Sequence, residues 1–187
     1  AIAVQTLRRN FDLPIVGVEP GLKPAIAVTR SGKVGVLATA ATLASKRYAD
    51  LLERIQRDAP QIEFIARVGV GWVESVERGD LISNDTATRV ADVVTPLLER
   101  GCDTLVLGCT HYPFLAPAIQ RAAPQAKIID TAPAIARELS RRISPTSSGG
   151  GGRLGFATSA DPSQGAALVA AMLGQATMFD TIGAASV

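Results

Sequence analysis

Short apolar and β-branched runs alternate along the chain with longer stretches whose apolar residues recur at three- and four-residue spacing. This is the pattern of βα units that build a parallel sheet, and it predicts an α/β fold. Strands are expected at 15–18, 33–37, 62–68, 103–107, 127–129 and 154–158. Residues 1–10 carry Ile2, Val4 and Leu7, with Arg8 and Arg9 near the end, and read as a helix already in progress, since no Ser, Thr, Asp or Asn precedes Ala1 to cap it. Glu19-Pro20-Gly21 forces a turn. The segment 38–42 leads into one helix of about four turns that ends near Asp58-Ala59-Pro60. Asn84 or Asp85 caps a helix running toward Glu99, and Gly101 stops it. Further helices are expected at 113–122, 131–143 and 161–173. The Ser- and Gly-rich stretch 144–152 predicts an exposed loop, and the residues after Gly174 a loose tail.

Composition narrows the function classes. The 187 residues are 47% hydrophobic and 19% charged, enough apolar material for a sizeable core in one or two domains. A net charge of +2 spread along the chain, with 4% aromatics, argues against a nucleic-acid face, which needs a basic stripe and stacking platforms. The apolar runs fall far short of the ~20 residues that span a bilayer, and no basic segment leads into an apolar one at the start, so no membrane partner is expected and the chain reads as cytosolic. With two cysteines and one histidine, neither a disulfide scaffold nor a metal site is expected.

The stretch Thr104-Leu105-Val106-Leu107-Gly108-Cys109-Thr110-His111-Tyr112-Pro113 carries the candidate chemistry. In a parallel α/β sheet, ligands bind beyond the C-terminal ends of the strands, and Cys109 falls at such an end. Gly108 permits a close turn, while Thr110 and His111 precede a helix whose free N–H groups favour an anion or a thiolate. Set against this, an isolated cysteine is ordinarily a small buried hydrophobe, which describes Cys102. A lone histidine is ordinarily a satisfied structural residue or a cap. Position alone leaves both readings open for Cys109 and His111.

Gly108-Cys109-Thr110-His111-Tyr112-Pro113 resembles the second cysteine motif of bacterial glutamate racemases in the aspartate/glutamate racemase superfamily. The resemblance extends to Val16-Gly17-Val18-Glu19-Pro20 with Lys23-Pro24-Ala25, to Val34-Gly35-Val36-Leu37-Ala38-Thr39 with Thr42, Ser45 and Tyr48, and to Phe156-Ala157-Thr158-Ser159 followed by Asp161-Pro162. It implies two flavodoxin-like parallel-sheet domains facing across a cleft. Residues 1–21 and 131–187 would belong to an incomplete first domain, and 22–130 would form the second. It also implies cofactor-independent inversion of glutamate, in which one cysteine thiolate removes the α-proton and a second thiol returns a proton from the opposite face.

By that resemblance Cys109 is the second thiol. Thr110 and His111 contact the substrate's charged groups, with His111 also tuning Cys109, Thr42 lies near the bound glutamate, and Glu77 is the supporting acid for the histidine. Thr42 reads equally as a helix N-cap and Glu77 as a solvated charge. The segment from Arg67 to Glu74 departs from the Cys-Pro pair and apolar run of many relatives. The family's first cysteine, followed by Asn and Thr, immediately precedes the helix that 1–10 resembles, and it is not among these residues. The isolated chain is therefore expected to be inactive. D-glutamate supply for peptidoglycan in a bacterial cytoplasm follows from the resemblance, and a homodimer is compatible with it. The competing readings are an aspartate or other amino-acid racemase of the same superfamily, a cysteine hydrolase, and a non-catalytic fragment or binding module.

Overall fold

Alternation along the strands organises the architecture. The computed structural model describes residues 4–143, 156–158, 161–173 and 179–181. Strand β1 (Lys33–Ala38) pairs in parallel with β2 (Glu63–Val68) and β3 (Thr104–Leu107), and β3 with β4 (Lys127–Ile129), in the order β2-β1-β3-β4. Parallel strands need helical crossovers that cover both faces, so central strands are apolar on both sides. All four residues of β3 are buried.

On one face Val34, Val36 and Val106 pack with Leu22 and Ala25 of α2 (Leu22–Val28) and with Tyr48, Leu51 and Ile55 of α4 (Lys46–Asp58). On the other, Leu37, Ile65, Leu105 and Leu107 meet α5 (Trp72–Glu77), α6 (Asn84–Glu99) and α7 (Ala116–Ala122) through Val76, Val90, Val94, Leu97 and Ile119. The period-2 side-chain alternation thus sorts neighbouring residues of one strand into two cores. Each of these fully buried aliphatic side chains contributes about 1.5–3 kcal/mol relative to exposure.

The chain leaves β1 toward β2 on one side and then crosses to β3 on the other. The crevice between the C-terminal ends of β1 and β3 is therefore the switch point at which open α/β sheets hold ligands.

Asp103 ties the opposite end of the sheet together. Its carboxylate accepts from the Thr29 hydroxyl (2.7 Å), the Arg30 and Ser31 backbone N–H groups (2.7 and 2.8 Å) and the Thr104 hydroxyl (2.9 Å). Burial opposes its charge, but these donors together outweigh burial and hold the carboxyl far below its usual range. A carboxylate whose value is depressed by folding stabilises the native state at all pH above its unfolded value of about 3.9 and loses that contribution as pH falls further. Asp103→Asn is expected to cost about 1–3 kcal/mol at pH 7. The difference in urea midpoint from the parent protein should shrink when measured at pH 3.

Several expectations are corrected. Residues 15–18 form no strand: they have no regular secondary structure and no ladder partner among the described residues, and the Ile15 carbonyl accepts instead from the Arg8 guanidinium at 2.8 Å, reaching across from α1 (Val4–Asn10). The helix of about four turns expected to end near Asp58 is α4, but the segment leading into it holds a short helix of its own, α3 (Ala40–Leu43), and the Ser45 side chain accepts from the Tyr48 N–H to start α4. Ser83, rather than Asn84 or Asp85, caps α6, with extended backbone (φ −62°, ψ 158°) and its hydroxyl accepting from the Thr86 N–H. The helix expected at 113–122 opens as a 3-10 turn, Tyr112–Leu115, before α7. Helices α2 and α5 were not anticipated from the pattern.

Downstream, α8 (Ala132–Arg142) precedes a separate parallel pair, β5 (Phe156–Thr158) and β6 (Phe179–Thr181), bridged by α9 (Pro162–Leu173). Strand β6 stands where a loose tail was expected. The loop expected at 144–152 lies outside the described residues. No described helix is long and apolar enough to cross a membrane.

Candidate functional site

The loops that follow β1, β2 and β3 emerge at the same edge of the sheet. The Gly69 N–H donates to the Ala38 carbonyl (3.3 Å), and the Gly108 N–H to the Leu37 carbonyl (2.7 Å). A side chain at position 108 would place Cβ 3.1 Å from both the Leu37 oxygen and the Ala38 Cβ, prising β3 from β1 just where the chain turns out of the sheet. Glycine here sets how closely Cys109 follows the strand end.

Cys109 is half-buried, and its carbonyl accepts from the Tyr112 N–H at 3.2 Å, closing a turn. The Phe114 N–H donates to the His111 carbonyl (3.2 Å), and Pro113 starts the 3-10 turn without losing a needed donor. This tight path folds the His111 ring back toward the thiol, with Cys109 Sγ 3.8 Å from His111 Nδ1. On the ring's other side, His111 Nε2 lies 3.3 Å from Glu77 Oε1, on the last residue of α5. A thiol, an imidazole and a carboxylate thus stand in line. The His111 and Glu77 side chains are 33% and 58% exposed, so solvent screens the contact and its value lies in orientation more than in stability.

Tyr112 is fully buried beside this line. Burial, and then the neighbouring Cys109, push its phenol well above the usual range, so it remains a donor, and its hydroxyl donates to the Gly69 carbonyl at 3.4 Å. Its ring meets Trp72 edge to face with centroids 4.8 Å apart. The Cβ of a side chain at position 69 would come within 2.7 Å of both the Trp72 ring and the Tyr112 hydroxyl. Trp72 is a site-adjacent residue that the pattern missed. Its only signal was its place after Gly69-Val70-Gly71.

The other expected residues fall unequally. Thr110 is exposed, between Cys109 and His111. Thr42 lies in α3, the short helix after β1, but the N-cap is Thr39: its side chain accepts from the Thr42 N–H (3.2 Å), and the two hydroxyls share a 2.9 Å hydrogen bond. Cys102 is free, buried and at the far end of β3, with its thiol raised chiefly by desolvation, which makes it chemically inert. Hollows of about 410 and 630 Å³ are lined by residues other than Cys109, so the candidate chemistry rests on the side-chain line and not on a closed cavity.

Comparison with known proteins gives this edge a context. The profile of a family described as Asp/Glu/Hydantoin racemase matches residues 1–139. The chain is 51% identical over 144 residues to a glutamate racemase of Methylococcus capsulatus, covering 76% of this chain and 52% of that one. It is 43% identical over 186 residues to a glutamate racemase of Ralstonia nicotianae, covering 97% and 66%. Among solved structures, it resembles Escherichia coli glutamate racemase in complex with L-glutamate and activator UDP-MurNAc-ala, with a TM-score of 0.77, 28% identity, and 96% and 68% of the two chains covered. A glutamate racemase isoform from Bacillus anthracis gives a TM-score of 0.76 at 26% identity, with the same coverage. The chain spans about half to two thirds of the length of the curated relatives it matches.

Proposed function

The chain belongs to the Asp/Glu/Hydantoin racemase family, and from that membership we propose that the whole protein interconverts L- and D-glutamate by cofactor-independent, two-thiol proton transfer. The observation that carries this reading is Cys109 at the switch-point edge with His111 Nδ1 3.8 Å from its sulfur, in a chain 43–51% identical to glutamate racemases.

Cys109 Sγ is the base in one direction: as a thiolate it takes the α-proton, and the C–H electron pair passes onto the α-carbon and into the carboxylate. A thiol on the opposite face then gives up its proton to that carbon. In the reverse direction Cys109 is the acid. The α-proton is only weakly acidic, so the rate depends on a placed base and on electrostatic stabilisation of the carbanion-like transition state. His111 orients the thiol and exchanges its proton, and Glu77 holds the imidazole from behind. Thr110 and the backbone around it face the substrate's charged groups, and Thr42 approaches the substrate from α3.

In this reading residues 22–130 are one of two domains facing across the substrate, with 1–21 and 131–187 belonging to the other. The product D-glutamate serves peptidoglycan synthesis in a bacterial cytoplasm, and a homodimer is the assembly. The test is D-product formation from L-glutamate and from L-aspartate by the whole protein. We expect turnover of glutamate and at least about a hundredfold less of aspartate, because a site built for one side-chain length leaves polar groups unpaired with another. Faster turnover of aspartate would replace the assignment with an aspartate racemase, and an acyl-enzyme trapped on Cys109 with a hydrolase.

A further inference from the structure

We propose that Trp72 is a positioning residue of the Cys109 site, holding Glu77 against His111; this rests on the racemase reading only for its consequence in catalysis. Trp72 is 1% exposed and stands between the two segments that carry the pair it would align. It opens α5, the short helix that ends at Glu77. Its ring lies edge-on to Tyr112, the residue directly after His111. One contact therefore links the element that carries the carboxylate to the turn that carries the imidazole.

The rest of the anchoring is built around the same helix. The indole N–H donates to the Arg89 carbonyl of α6 (3.2 Å), and the Tyr112 hydroxyl reaches the Gly69 carbonyl just ahead of α5. The Thr86 hydroxyl donates to the carboxylate of Asp80 (2.9 Å), just past the end of α5, and its oxygen lies 3.3 Å from the hydroxyl of buried Ser75. A six-residue helix has too few internal hydrogen bonds to be stable alone, so its orientation comes from these external ties. Glu77 itself is more than half exposed, so its carboxylate is held 3.3 Å from the ring chiefly by the placement of the helix.

The experiment labels the whole protein with 15N-histidine, assigns the His111 ring signals by their loss in His111→Asn, and compares parent, Glu77→Gln, Trp72→Leu and the double variant at one pH. Glu77→Gln is expected to shift the Nε2 signal. Trp72→Leu should shift it in the same direction by at least half as much, and the double variant should go no further than Glu77→Gln. Trp72→Phe, which keeps a ring edge but loses the indole N–H, should restore most of the parent position. It also serves as the test variant if the leucine protein does not fold, in which case a smaller shift in the same direction is expected. A His111 signal unshifted from the parent in folded Trp72→Leu, or in Trp72→Phe where the leucine protein does not fold, or no response to Glu77→Gln, would overturn the proposal. These readouts need no turnover, so they stand apart from the racemase assignment: a failed activity assay beside coupled shifts rejects only that assignment.

Discussion

Replacing Cys109 with serine is expected to lower glutamate racemisation by the whole protein about a hundred- to ten-thousand-fold, the range for losing a placed general acid or base. Serine keeps nearly the shape of cysteine but not its acidity. The thiolate is the reactive form of cysteine, and an alcohol ionises far less readily than a thiol. Because Cys109 is only half-buried, the change in folding stability should stay within about 0.5–1 kcal/mol, which separates a chemical loss from a structural one. Cys102→Ala is the control, with the reverse profile: it sits 4% exposed in the core, so it should lose about 1 kcal/mol of stability and retain its rate. A Cys109→Ser protein with more than a tenth of parental activity would remove Cys109 from the mechanism.

The parts of the fold that were legible in the sequence are those in which burial dictates composition. Strands β1 and β3 are covered on both faces and so read as unbroken apolar runs, which fits their sequences Lys-Val-Gly-Val-Leu-Ala and Thr-Leu-Val-Leu. The run at 15–18 is equally apolar, but a strand also needs a neighbour to bond its backbone, and composition carries no record of one. Helix starts were misread where several side chains could serve. Ser83, Asn84 and Asp85 all offer an oxygen, and only the residue with extended backbone at the boundary can use it.

The site divides in the same way. Cys109 and His111 are two residues apart, so a single turn brings them together and the sequence displays the pair. Glu77 reaches His111 only through the packing of α5 on the turn after β3, which no local pattern encodes, and its placement was anticipated solely through resemblance. Trp72 was hidden for the opposite reason, since a tryptophan that bridges two elements looks in sequence like any other core aromatic.

The 187-residue polypeptide by itself is expected to form no D-glutamate above the uncatalysed rate. Inversion needs proton removal on one face of the α-carbon and delivery on the other, and a single thiol returns the proton to the face it left. Of the two thiols in these residues, Cys102 cannot fill the second role. It lies just ahead of β3, at the end of the strand opposite Cys109, buried and with its thiol raised by desolvation, so neither proton donation across the substrate nor thiolate formation is open to it. A protein extended to the length of the relatives, with a second thiol facing Cys109, should recover turnover. Chiral chromatography of L-glutamate incubations with the two proteins, at equal concentration and after circular dichroism has established that both are folded, measures the contrast. Turnover by the 187 residues at the rate of the extended protein would mean that Cys109 works without a facing thiol, and the two-thiol mechanism would have to be given up in favour of proton return by water or by His111.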